Sequence, residues 1–158
     1  MHRIAVLDDY QSVAATFTDW SQLPEPVEVV EFHDHVADVD ALVARLQSFD
    51  VVIAMRERTP FPREVLERLP DLRLLVTTGM RNKAIDVEAA TELGITVCGT
   101  GAQATATVEL TWALILAAVR HIPQEDAAMR VGGWQQTIGG DLAGARLGVI
   151  GLGRIGSQ

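Results

Sequence analysis

Arg146-Leu147-Gly148-Val149-Ile150-Gly151-Leu152-Gly153-Arg154-Ile155-Gly156 is an apolar run that passes straight into a glycine turn of spacing G-x-G-x-x-G. The run reads as a strand and the turn as the opening of a helix. In such a turn the first glycine, Gly151, permits the sharp reversal. Gly153 lets the backbone approach a ligand with no Cβ in the way, and Gly156 lets the helix pack closely on the strand. Arg154 and Ile155 fall in the first helical turn, where free N–H groups and the helix dipole favour an anion such as a pyrophosphate. An unliganded tight turn has the same residues; the strand directly before it is what favours the phosphate reading. The acid that grips a ribose lies roughly 20 residues past such a turn. The sequence stops at Gln158, so NAD and NADP stay equally open.

Upstream, short apolar runs alternate with helical patterns. Ile4-Ala5-Val6-Leu7, Val51 to Met55, Leu72 to Val76 and Ile95 to Cys98 are nearly continuous aliphatic stretches, as expected of parallel strands covered on both faces. Val27 to Phe32 alternates apolar and acidic residues, which places it nearer an edge. Between the strands, Val39, Leu42, Val43 and Leu46 recur at helical spacing behind Asp38 or Asp40 as caps. Pro62 to Leu69 puts Val65, Leu66 and Leu69 on one face. Asp86 opens a short helix that Gly94 closes. Strand–helix alternation of this kind predicts an α/β fold with a doubly wound parallel sheet. After Thr100 the pattern changes to one long helix, Ala104 to His121, with Thr105 as cap. It is apolar on almost every side from Leu110 to Val119, so it needs burial all round. A second short helix starts at Pro123.

Composition narrows the partners. The 158 residues carry a formal net charge of −8, with 48% hydrophobic and 22% charged residues. An acidic chain lacks the basic footprint that nucleic acid or an anionic membrane surface requires. The longest apolar run, Leu110 to Val119, is well short of the roughly 20 residues that span a bilayer. The single cysteine, Cys98, excludes an internal disulfide and a cysteine zinc cluster, and points to a cytoplasmic setting. Cys98 reads as a small buried residue. His33-Asp34-His35 invites a metal reading, but two histidines so spaced at a strand end are expected to be solvated, and no metal is expected. His2 and His121 read as structural.

Three stretches in register resemble one family. Asp141 to Gly156 is the first; Thr77-Thr78-Gly79-Met80-Arg81-Asn82, followed by Ile85-Asp86 and Gly94-Ile95-Thr96-Val97, is the second. Glu109 to Leu116 with His121-Ile122-Pro123 after it is the third. Together they resemble the D-isomer-specific 2-hydroxyacid dehydrogenases over essentially the whole chain. The resemblance implies a flavodoxin-like substrate lobe at 1–99 and, at 100–158, the start of a Rossmann cofactor lobe that includes the long helix. It implies chains about twice this length that dimerise through that helix.

It also implies site roles. Backbone N–H groups of Thr78, Gly79 and Met80 hold the substrate carboxylate beyond a strand end. Arg56, read from its own place at another strand end facing the same crevice, either assists the carboxylate or is a solvated loop arginine. Gly151, Gly153, Arg154, Ile155 and Gly156, with Thr107 near the nicotinamide, serve the cofactor, NAD or NADP. The family's catalytic arginine, glutamate and histidine match nothing here and are expected beyond Gln158. The loop Gly101-Ala102-Gln103 is plainer than the family's usual stretch, which argues against cofactor contacts from it. The expected activity is oxidation of a small D-2-hydroxy acid or reduction of its 2-keto acid, with this stretch inactive alone. A non-catalytic acid-binding or co-repressor-like module of the same fold is the alternative.

Overall fold

A computed structural model describes residues 1–101 and 103–158. The chain divides into two compact units, 1–102 and 103–158. The first contains strands β1 (His2–Val6), β2 (Val27–Glu31), β3 (Val51–Ala54), β4 (Leu74–Thr77) and β5 (Thr96–Gly99). All four pairings are parallel, in the order β2-β1-β3-β4-β5. This is the flavodoxin-like doubly wound order, whose winding reverses between β1 and β3.

The period-two burial of the central strands anchors the sheet: Val52, Ala54, Leu75 and Thr77 are buried while their neighbours are half-buried. Helices α2 (Val39–Leu46), α3 (Arg63–Leu66) and α4 (Val87–Glu92) supply the covering side chains. Leu46, Phe61, Val65 and Ala89 close the core against the sheet. Asp38 caps α2 by accepting the Ala41 N–H at 2.8 Å, and Asp86 caps α4 by accepting that of Ala89 at 2.9 Å. Gly94 ends α4 at φ +75°. The helix expected up to Leu69 stops at Leu66 and continues as turns, with Leu69 still buried. A short α1 (Ala14–Phe17) and a 3₁₀ turn at Trp20–Gln22 have no counterpart in the sequence reading.

The strand β2 lies at an edge, as its alternating acids predict. Phe32 and Phe49 meet edge to face at 6.0 Å beside it, with the Arg45 and Arg3 guanidinium groups over the two rings. The other edge is β5, which starts one residue later than expected and is not covered on both faces. Edge position leaves Cys98 exposed rather than buried; Ile95, just before the strand, takes the buried place.

The second unit contains α5 (Thr105–Val119) and α6 (Ile122–Arg130). Thr105 is the first helical residue, not the cap; Ala104 stands at the cap without a side-chain hydrogen bond. His121 ends the run early by turning left-handed at φ +53°. No residue of α5 is buried within this chain, and Leu110, Trp112, Leu114 and Leu116 are exposed. Burial all round is therefore not supplied here. Glu125 of α6 gathers the loop that follows, accepting N–H groups of Gln136 and Thr137 and the Thr137 hydroxyl.

Arg146 to Ile150 does not form the expected strand. A strand exists by its ladder, and no neighbour pairs with these residues among those described. Arg154 and Ile155 lie in a single turn, closed by the Ser157 N–H on the Gly153 carbonyl at 3.0 Å, rather than in a regular helix. Among the described residues no single helix is long and apolar enough to cross a membrane.

Candidate functional site

Parallel register sets the first site. Ala54, Thr77 and Gly99 pair across β3, β4 and β5, so these strands end side by side. The ladder runs one residue further on each side of β4: the Thr78 N–H donates to Ala54 O at 3.1 Å, and that of Thr100 to Thr77 O at 3.2 Å. The loops Met55–Thr59 and Thr78–Lys83 therefore leave the same sheet edge, where ligands bind in such folds.

Gly79 is at φ +107°, a conformation that needs glycine. A Cβ there would collide with the Arg56 guanidinium, and one on Gly99 would lie 2.8 Å from Gly79 O. Arg56 is itself left-handed, at φ +56°. Its N–H donates to Thr78 Oγ1 at 3.1 Å, and its Nη1 donates to Thr78 O at 3.3 Å. Its carbonyl accepts from Asn82 Nδ2 at 2.6 Å. The fold thus brings Arg56, Thr78 and Gly79 into contact, with Met80 next along the turn.

The donors differ in availability. The Thr78 N–H is taken by the ladder, and the Gly79 N–H donates to Thr100 Oγ1 at 2.9 Å. Among the described residues the N–H groups of Met80 and Arg81 meet no acceptor. A cavity of about 330 Å³ opens at this turn, lined in part by Thr77, Met80, Arg81, Asn82 and Val97. Arg81 is the charged side chain in that lining, so an anion is the ligand it suits. Asn82 and Arg81 had no role in the sequence reading. The signal available for Asn82 was its type: asparagine two residues before an N–H it can accept forms an Asx turn, here with Ala84 at 2.9 Å.

A second polar cluster lies at the end of β1. Asp8 and Asp9 are both buried. Asp8 accepts the Thr59 hydroxyl at 2.7 Å and the Tyr10 hydroxyl at 3.2 Å, and His35 Nδ1 lies 2.8 Å from it. Asp9 accepts the N–H groups of Ala14 and Val13 at the start of α1. Those two bonds, with the nearby His33, hold its carboxyl below the usual carboxylate range against the opposing effect of burial. His33 Nδ1 lies 2.9 Å from Asp9 O. Both histidines are exposed, as expected, and each also meets an aspartate at the β1 exit, because the β2 exit runs parallel to it.

In the second unit the glycine turn stands without the strand and helix expected beside it. Gly151 is at φ +90°, and a Cβ on Gly153 would meet nothing within 4 Å. A Cβ on Gly156 would collide with Gly151 O and lie 3.3 Å from Val149 Cγ1. Gly151 thus needs glycine for the reversal and Gly156 for its close approach to Gly151, while Gly153 is open. Arg154 O accepts from Gln158 Nε2 at 2.9 Å. Thr107 lies exposed in the first turn of α5, its carbonyl accepting the Thr111 hydroxyl at 2.8 Å. The loop expected to make no cofactor contacts contains Ala102, which lies outside the described residues.

Comparisons with known proteins agree with this picture. The model of the D-isomer specific 2-hydroxyacid dehydrogenase catalytic domain matches residues 4–140. D-3-phosphoglycerate dehydrogenase of Methanocaldococcus jannaschii is 41% identical over 122 residues, covering 75% of this chain and 23% of the relative. Glyoxylate reductase of Aeropyrum pernix is 41% identical over 105 residues, 60% of this chain and 31% of that protein. The crystal structure of a phosphoglycerate oxidoreductase from Vibrio cholerae superposes with a TM-score of 0.91 at 39% identity, over 99% of this chain and 51% of that one. The chain thus spans about half of that structure and a smaller share of the two sequence relatives. On the matched domain and the sheet order together, the chain belongs to the D-isomer specific 2-hydroxyacid dehydrogenase family.

Proposed function

We propose that this chain contributes the substrate lobe and the first part of the cofactor lobe of an NAD(P)-dependent oxidoreductase. The enzyme oxidises a D-2-hydroxy acid at its CH–OH group or reduces the 2-oxo acid. The observation that carries the reading is the turn after β4, where Gly79 closes on Arg56 and leaves the Met80 N–H unengaged. Backbone N–H groups beside a guanidinium hold a carboxylate whatever the net charge of the chain. Thr78 supports the turn through its hydroxyl and carbonyl, and Gly79 lets the backbone and the arginine come together.

The glycine turn fits a pyrophosphate: Gly151, Gly153 and Gly156 leave the backbone open, while Arg154 and Ile155 supply N–H groups. Thr107 would lie toward the nicotinamide. When bound, NAD or NADP gives or takes the hydride; the residues of this chain orient the acid and the phosphates. In this reading residues 1–99 bind the small acid, 100–158 begin the cofactor lobe, and the proton-transfer groups come from sequence after Gln158. The stretch alone is then inactive, and the complete enzyme is a cytoplasmic homodimer with no affinity for nucleic acid.

Two measurements test this. Titration of glyoxylate into ¹⁵N-labelled protein should shift the Gly79, Met80 and Arg81 amides first. An assay of the 158-residue chain with NADH and several 2-oxo acids should give no turnover. Shifts confined to other residues would remove the carboxylate assignment, and turnover would place the proton-transfer groups within this sequence.

A further inference from the structure

We propose that Asn82 is a positioning residue that fixes Arg56 in the geometry that meets the substrate carboxylate. The proposal rests on the assignment of Arg56 and the Thr78–Met80 turn to substrate binding. Arg56 is a long, non-glycine residue held in the left-handed region, which such residues adopt only when their surroundings enforce it. The enforcement is visible. Both backbone groups of Arg56 are taken by side chains from the segment after β4: its N–H by Thr78 Oγ1 and its carbonyl by Asn82 Nδ2.

Asn82 is fixed in turn. Its Nδ2 also reaches the buried Thr77 Oγ1 at 3.0 Å, and its Oδ1 accepts the Ala84 N–H. The amide therefore has one orientation, since a flip would set Oδ1 against the Arg56 carbonyl and Nδ2 against an N–H. The consequence lies at the other end of Arg56. With its backbone so clamped, the guanidinium donates to Thr78 O and fills the space that a side chain at position 79 would need. Freed from Asn82, the Arg56 backbone relaxes to an ordinary conformation and the guanidinium leaves the turn. Asn82 borders the cavity, but its amide hydrogens go to Arg56 O and Thr77 Oγ1 and its Oδ1 to the Ala84 N–H, so its effect on the ligand passes through Arg56.

The test uses oxalate as an unreactive carboxylate probe, with binding followed by calorimetry and by amide shifts of the 158-residue chain. Asn82→Asp keeps the size and the acceptor for Ala84 but removes the donor to Arg56. It should weaken oxalate about tenfold, the loss expected for one well-placed charged contact. Asn82→Ala should do the same. In an Arg56→Ala background Asn82→Ala should not weaken binding further, because the route through Arg56 is gone. A merely structural asparagine would shift thermal unfolding and amides across the sheet, and its effect would persist in that background. Native affinity in Asn82→Ala, or full persistence of its loss beside Arg56→Ala, overturns the proposal. Native affinity in Arg56→Ala alone overturns the carboxylate assignment itself, and the positioning role with it.

Discussion

Gly79 shows how a single missing Cβ supports a site. At φ +107°, with the Arg56 guanidinium where a side chain would go, Gly79→Ala meets both backbone strain and a collision. The expected cost is about 1–3 kcal/mol of stability, read as a lower urea midpoint at unchanged m-value. An unchanged midpoint would mean that Arg56 moves aside freely. Asp9 gives a pH signature. Its folded pKa is depressed, chiefly by the bonds from Ala14 and Val13. Its stabilisation is therefore fully present above the unfolded value of about 4 and lost as pH falls through the lower folded value. Asp9→Asn should flatten the loss of stability on acidification below about pH 4; an unaltered acid limb would show that Asp9 contributes nothing. The turn at Thr78 and Gly79 was legible in the sequence because a strand end followed by glycine is a local signal, whereas its substrate role came from the family resemblance. Asn82 and Asp8 were not, because their partners Arg56 and Thr59 are 26 and 51 residues distant, and only the sheet brings them near.

At the scale of elements, local chemistry and non-local pairing divide what could be read in advance. Asp86 was legible as a cap, and Asp38 as one of two candidates with Asp40, because a cap is satisfied within three residues. Asp86→Ala should cost about 1 kcal/mol, measured by chemical denaturation; Asp86→Asn, which keeps an acceptor, should recover most of it. Equal losses in the two variants would mean that the carboxylate charge rather than the cap matters. The parallel sheet was legible from aliphatic runs alternating with capped helices. Apart from helix ends such as Thr105 and Leu66, the reversed expectations are non-local. Cys98 is exposed because β5 ends the sheet, a property of strand order that no run of residues states. Arg146 to Ile150 has the composition of a strand but no ladder, and composition cannot supply a neighbour. The helix α1 escaped notice because its N-cap position, Val13, has no capping side chain; the N–H groups of Val13 and Ala14 go to buried Asp9 instead.

At the scale of the whole molecule, α5 is the element whose sequence and surroundings disagree. Its fifteen residues, Thr105–Val119, contain one charge, Glu109. Leu110, Trp112, Leu114 and Leu116 nevertheless remain exposed in this chain, at 59%, 44%, 62% and 44%. Each fully buried side chain of this size is worth about 1.5–3 kcal/mol, so leaving four of them in water favours any association that covers them. Leu110 and Leu114 lie on one side of α5 and Trp112 and Leu116 on the other, and exposed apolar surface of this kind marks interaction faces. The 158-residue chain should therefore self-associate at micromolar concentration. Sedimentation velocity should show species heavier than 17.1 kDa whose fraction grows with concentration. Leu110→Glu with Leu114→Glu should shift the distribution to monomer while circular dichroism keeps its helical signal, because exposed helix positions accept glutamate. A monodisperse monomer of the native sequence with full helicity would show that water suffices as cover for α5. Association that survives both glutamates would place the sticky surface elsewhere, on the unpaired edges of the sheet.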